Sequence, residues 1–148
     1  MRFDLHHLLF GGAAPGAPLA DAGMAVARVS AGLMMAFGHG LGKLPPSPGF
    51  VGFVEGLGFP SPLLFAWMAA LAEAAGGLLL AAGLFTRAAA AAILGAMAVA
   101  AFVAHGGDPV FATSGPSKEL PLLYGAVMLA FLLAGCGRYG VDALFRRD

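Results

Sequence analysis

An acidic residue, Glu73, stands near the middle of an apolar run of about 20 residues, the length a helix needs to cross a bilayer. The run reads Pro62-Leu63-Leu64-Phe65-Ala66-Trp67-Met68-Ala69-Ala70-Leu71-Ala72 before the carboxylate and Ala74-Ala75-Gly76-Gly77-Leu78-Leu79-Leu80-Ala81-Ala82 after it. A charge at the centre of a spanning helix costs about 2.5 to 3.5 kcal/mol on insertion scales. Such a group is usually paired, turned into a bundle interior, or used in function. This pattern calls for a membrane protein with a polar interior.

Composition leads the same way. The chain has 148 residues, enough for one domain, and is 59% hydrophobic but only 11% charged. A soluble domain carries about 25% charged residues. The shortfall leaves too little material for a solvated surface, so membrane lipid is an expected partner. Net charge is zero, which offers nucleic acid no electrostatic footing. The single cysteine, Cys136, excludes an intramolecular disulfide and a CxxC redox pair. The N-terminal stretch Met1-Arg2-Phe3-Asp4-Leu5-His6-His7-Leu8 is not followed by a long apolar core with a small-residue cleavage site, so a cleaved signal peptide is not expected.

The expected fold is all-α: an integral membrane four-helix bundle with a short amphipathic or re-entrant segment between the first and second helices. The first helix is expected over about residues 22–41 with Asp21 as N-cap. The second starts at Ser61-Pro62 and stops near Gly83. The third is expected over about residues 87–105 behind a Thr86 cap, and the fourth over about residues 118–134 behind Ser117, with Pro121 in its first turn. Between the first two helices, Pro45, Pro46 and Pro48 break the chain, and Phe50, Phe53, Val54 and Leu57 then recur at helical spacing. That segment reads as a lid or as a loop dipping into headgroups. Residues 1–20 read as an interfacial segment and linker, 21–137 as the transmembrane domain and 138–148 as a cytoplasmic tail. Arg2, Arg87, Arg138, Arg146 and Arg147 fall on one side and Lys43 and Lys118 on the other. By the positive-inside rule this places both termini in the cytoplasm of a cell with the protein in its cytoplasmic (inner) membrane.

Helix rise places Arg28 about 9 Å and Glu73 about 14 Å from the cytoplasmic ends of their helices, which suggests an Arg28–Glu73 ion pair. It reads either as a structural pair or as a proton-handling carboxylate. His39 and Lys43, four apart, share a face near the outer end of the first helix. His105 and Glu119 lie at the same side, and Tyr124 lies within about 3 Å of the depth of Glu73. Glu73, His39 and Glu119 are the candidate catalytic groups; Arg28, Lys43, His105 and Tyr124 are the candidate ligand-binding groups. The plainer alternatives are an interfacial anchor for His105, a snorkelling side chain for Lys43 and ordinary packing for Tyr124. Two histidines without a wider signature are weak evidence for haem, and a closed zinc site needs four donors that a chain with one cysteine hardly supplies. Met34, Met35, Met68, Met97 and Met128 read as packing rather than copper ligands.

Over about residues 24 to 142 the chain resembles the DoxX family of small four-helix membrane proteins. The resemblance rests on Arg28 with Gly32-Leu33, on His39-Gly40-Leu41-Gly42-Lys43, and on Phe50, Gly56 and Gly58-Phe59-Pro60-Ser61-Pro62. It continues through Glu73-Ala74-Ala75-Gly76-Gly77-Leu78-Leu79-Leu80, Gly83-Leu84-Phe85-Thr86-Arg87, His105, Glu119 and Gly137-Arg138-Tyr139-Gly140-Val141-Asp142. The family takes its name from a subunit of a thiosulfate:quinone oxidoreductase, and relatives occur in redox-stress, detoxification and receptor-assembly contexts. Its positions correspond here to Arg28, His39, Lys43, Glu73, His105 and Glu119. Tyr124 carries no family role. The resemblance implies a quinone-linked membrane redox subunit, with electrons from a redox partner protein because no flavin, haem or iron–sulfur motif is visible. The alternative is a non-catalytic assembly factor or structural interaction subunit. Transport of a small solute is a third reading, and it would call for a homo-oligomer.

Overall fold

The computed structural model describes residues 18–112 and 114–146. The interfacial segment expected at the N-terminus lies, through residue 17, outside the described residues. Helix α1 spans Pro18–Met35 and runs on without a break through a π-helical turn, Ala36–Gly40, and a 3₁₀ turn, Leu41–Lys43. Short helix α2 spans Pro48–Gly56, α3 spans Pro62–Ala82, and α4 spans Thr86–Val99 with a π-helical extension over Ala100–Ala104. Helix α5 spans Glu119–Ala134, and a 3₁₀ turn, Val141–Phe145, comes after it.

Three of these stretches are long and apolar enough to cross a membrane: Pro18–Lys43, Pro62–Ala82 and Thr86–Ala104, of 26, 21 and 19 residues. The fourth, α5, rises only about 24 Å, so it depends on its neighbours more than the others do. Large apolar side chains point outward along the bundle, among them Val26, Met34, Phe37, Leu63, Leu64, Phe102 and Leu133. In water that surface would be ruinous; in lipid it is the ordinary exterior. The chain is an all-helical membrane bundle.

Packing order runs along the sequence: α1 lies on α3, α3 on α4 and α4 on α5, while α1 and α5 barely meet. Small residues set the α1–α3 spacing. A β-carbon on Gly32 would lie 2.5 Å from the Gly77 carbonyl oxygen and 2.6 Å from the Ala81 nitrogen. One on Gly40 would overlap the backbone of Ala74. Without a hydrophobic drive between helices in lipid, such close backbone approach is how they hold together. Met35, Leu80, Ala90, Ile93 and Met128 fill the buried centre.

Helix ends differ from the sequence expectations in instructive ways. Helix α1 begins at Pro18, so Asp21 sits inside its first turn rather than capping it. Ser61 precedes α3 without a side-chain capping bond. Ser47, by contrast, caps α2 by accepting from the Phe50 N–H at 3.2 Å, with Pro48 in the first turn. Thr86 belongs to α4, and the capping work falls to Asp142. Its two carboxylate oxygens accept from the Phe85 and Thr86 N–H groups at 2.7 and 2.8 Å. A carboxylate at a helix N-terminus satisfies orphan donors and opposes the macrodipole. The fourth helix starts at Glu119, with Lys118 in the cap position.

The expected Arg28–Glu73 pair is not formed. Gly32 seats against Gly77 and Ala81, and Gly40 against Ala74; this register sets Arg28 level with Leu80 and Ala81, about 10 Å of helix rise from Glu73. Its guanidinium donates to the carbonyls of Leu80 (2.7 Å), Ala81 (2.5 Å) and Tyr139 (3.1 Å). Helix α3 ends there in a Schellman turn: Leu84 N–H donates to Leu79 O and Gly83 N–H to Leu80 O, both at 3.0 Å. Gly83 has φ +71°, and any β-carbon there would collide with Gly140 and with Arg28. Arg28 from one side and Asp142 from the other thus clamp the α3–α4 corner.

Candidate functional site

At the opposite end of the bundle the last turns of α1 pack on the middle of α3. The close approach of Gly40 to Ala74 brings Lys43 down onto Glu73. Lys43 Nζ stands 2.6 Å from Glu73 Oε1 and 2.5 Å from Oε2. The side chain of Glu73 is 4% exposed and that of Lys43 is 32% exposed, so the carboxylate is interior while the ammonium reaches toward water. Phe50 of α2 covers the ammonium, its ring centroid 5.6 Å from Nζ. The short helix therefore roofs the pair on one side.

A cleft of about 370 Å³ opens beside this pair. That is at the small end of the range for small-molecule sites. His39, Lys43, Glu73, His105 and Tyr124 supply its main polar groups, and Met35, Met97 and Pro121 supply apolar wall. The His39 and Tyr124 rings meet edge to face, with centroids 5.6 Å apart and an interplanar angle of 79°. This contact bridges α1 and α5 where their backbones stand apart.

Both histidines owe their positions to π-helical turns. His39 lies within Ala36–Gly40, and His105 is the C-cap of Ala100–Ala104, its N–H bonded to Ala100 O at 2.8 Å. A π-turn adds a residue to the helical circuit and re-aims the side chains beyond it, and such turns recur at functional sites. His105 Nδ1 lies 2.7 Å from Asp108 Oδ2. A carboxylate only accepts, so Nδ1 carries the proton and Nε2 is left for another partner.

The structure brings together five of the seven candidate residues: Glu73, His39, Lys43, His105 and Tyr124. Arg28 lies at the far end of the bundle. Glu119 sits outside the cleft, where Oε2 accepts from the Ala112 N–H at 2.8 Å. Lys118 Nζ donates to Gly106 O at 2.8 Å. These two residues tie down the loop that carries Asp108. Sequence reading misses Asp108, and it places Phe50 in a lid-like segment without counting it among the site residues. The spacing of Asp108 three residues after a helix-ending histidine is the available signal.

The DoxX family model matches residues 23–106, more than half of the chain, and the chain belongs to this family. No curated protein and no solved structure matches it. The matched region holds Arg28, His39, Lys43, Glu73 and His105, whereas Glu119 and Tyr124 lie beyond it.

Proposed function

We propose that the chain is the membrane subunit of a quinone-linked redox system and that it binds a quinone-type ring in the cleft beside Lys43 and Glu73. The observation that carries this reading is a buried, ion-paired carboxylate opening onto a cleft rather than closing into a dry pair. Ring carbonyl oxygens call for donors, and Lys43 Nζ, the Tyr124 hydroxyl and the two imidazoles supply them. Met35, Met97 and Pro121 offer apolar surface to the ring itself.

In this reading a quinone supplies the electron-accepting chemistry and electrons come from a redox partner protein. Lys43 donates a hydrogen bond and then a proton toward a carbonyl oxygen, and Glu73 steadies the ammonium. The Asp108-oriented imidazole of His105 exchanges protons at the cleft wall. His39 and Tyr124 orient the ring and close the gap between α1 and α5. The Lys and Arg distribution supports an inner-membrane protein with both termini cytoplasmic, with Lys43 and the cleft toward the opposite face.

Thermal unfolding of purified protein with and without a quinone tests the reading. A rise in Tm that is lost in Glu73→Gln and Lys43→Met, but kept in Arg28→Lys, is the expected result. No rise with any quinone overturns it.

A further inference from the structure

A second recess of about 180 Å³ lies in the seam between α4 and α5. Leu94, Ala98 and Phe102 wall it on α4, and Gly125, Ala126 and Leu129 wall it on α5. It shares two residues, Met97 and Pro121, with the polar cleft. The two spaces are thus neighbours, with Met97 and Pro121 in the wall of each. Methionine readily re-packs around what lies against it. On each helix the recess runs about 12 Å along the axis, away from the histidine end and toward the middle of the span. Its outer rim is Phe102, 68% exposed, and Leu129, 46% exposed, both on the lipid-facing exterior.

We propose that cleft and recess form one amphipathic site, with the polar ring of a ligand beside Lys43 and Glu73 and a single hydrocarbon chain laid in the α4–α5 recess. This rests on the quinone reading and deepens it: the ligand class is a chain-bearing, membrane-dissolved quinone rather than a small water-soluble one. Placement supports the assignment. The recess adjoins the cleft at Met97 and Pro121 and opens past Phe102 and Leu129 to the lipid-facing exterior, where an apolar chain is most stable. The recess lining supplies almost no polar group for a second head. Gly125 forms its floor, and a β-carbon there would meet Leu94 Cδ1 at 3.7 Å and Met97 Cβ at 3.9 Å, ordinary contact distances. An alanine methyl therefore fits there in ordinary contact without forcing α4 and α5 apart, and a leucine is expected to extend from it into the recess.

The test compares a decyl-substituted dimethoxybenzoquinone with its methyl-substituted counterpart, on protein in nanodiscs, with affinities referred to concentration within the membrane phase. Wild-type protein is expected to hold the decyl compound about tenfold more tightly, or about 1.4 kcal/mol. Gly125→Leu is expected to bring the decyl compound down to the level of the methyl one while leaving the methyl compound unchanged. Gly125→Ala reports whether the fold accepts a side chain there, and Ala126→Trp narrows the same recess from its exposed side. Equal wild-type affinities for the two compounds overturn the chain assignment and leave the head site standing. So does indifference of decyl-compound binding to both Gly125→Leu and Ala126→Trp. Binding of neither compound overturns the head site and the chain site together.

Discussion

Lys43 Nζ lies 2.5 Å from Glu73 Oε2, joining the 3₁₀ end of one membrane helix to the centre of another. The pair is asymmetric, and the asymmetry makes a prediction. Removing Lys43 strands an interior carboxylate among apolar walls, whereas removing the charge of Glu73 leaves an ammonium that can turn toward water. Breaking a buried pair from one side costs about 3–5 kcal/mol. Lys43→Met is therefore expected to approach the lower end of that range, and Glu73→Gln to cost clearly less. The double variant Lys43→Met/Glu73→Leu is expected to recover most of the loss. Denaturant or thermal unfolding in one detergent across the four proteins checks the order. Equal costs for the two single changes would contradict the asymmetry.

The corner clamped by Arg28 and Asp142 predicts a chemical reporter. Cys136 is 2% exposed, and burial first, then the nearby Asp142 carboxylate, push its thiol above the ordinary range. A raised pKa leaves less thiolate at a given pH, and the thiolate is the reactive form. Wild-type Cys136 is therefore expected to resist maleimide at neutral pH and to react only as pH climbs beyond the usual thiol range. Asp142→Asn removes a negative charge and one capping acceptor. The pH of half-maximal labelling is expected to fall, with about 1 kcal/mol of helix-cap stability lost. Mass-spectrometric labelling against pH measures both the protection and the shift.

Most of the bundle is legible in the sequence because membrane helices announce themselves locally. Apolar length, the Ser61-Pro62 start, and the Gly83 stop are all properties of short windows. Which helix faces meet is not local. The partner of Glu73 depends on Gly32 and Gly40 seating against Gly77 and Ala74, which sets the register of α1 on α3 and with it the level of Arg28. The π-turns at His39 and His105 are equally invisible to helical spacing, since each adds a residue to the count. Asp108 carries no local signal that singles it out beyond its spacing from His105, and Asp142 enters only as the last residue of the family-like tail. Their work appears only once distant backbone N–H groups and an imidazole arrive beside them. Helix rise alone sets His39, Lys43, His105 and Glu119 near the outer end and Glu73 with Tyr124 at a greater depth. It misplaces Glu119, because a first-turn position says nothing about which way the turn faces.

Close packing of α1 on α3 predicts a sharp positional contrast among glycines. Gly32→Ala drives a methyl group into the Gly77 carbonyl and the Ala81 backbone, and neither can move without parting the helices. Overpacking of this kind costs about 1–3 kcal/mol. Gly23→Ala, on the same helix with nothing within 4 Å of the added carbon, is expected to be neutral or slightly stabilising through helix propensity. Melting temperatures of the two variants in matched detergent decide it.

Cleft geometry finally separates the two glutamates that sequence reading groups together. Glu73 lines the cleft, and Glu119 instead holds the Ala112 N–H in the loop above it. Glu119→Gln keeps an acceptor for that N–H and leaves the cleft wall intact, so quinone affinity is expected to change less than about twofold, or about 0.4 kcal/mol. Tyr124→Phe removes a hydroxyl from the cleft while keeping the ring that meets His39, and the loss of one neutral hydrogen bond is worth about 1 kcal/mol, roughly fivefold in affinity. Titration of the decyl quinone against both variants measures the contrast. A larger effect from Glu119 than from Tyr124 would move the binding site out of the cleft and onto the loop at its rim.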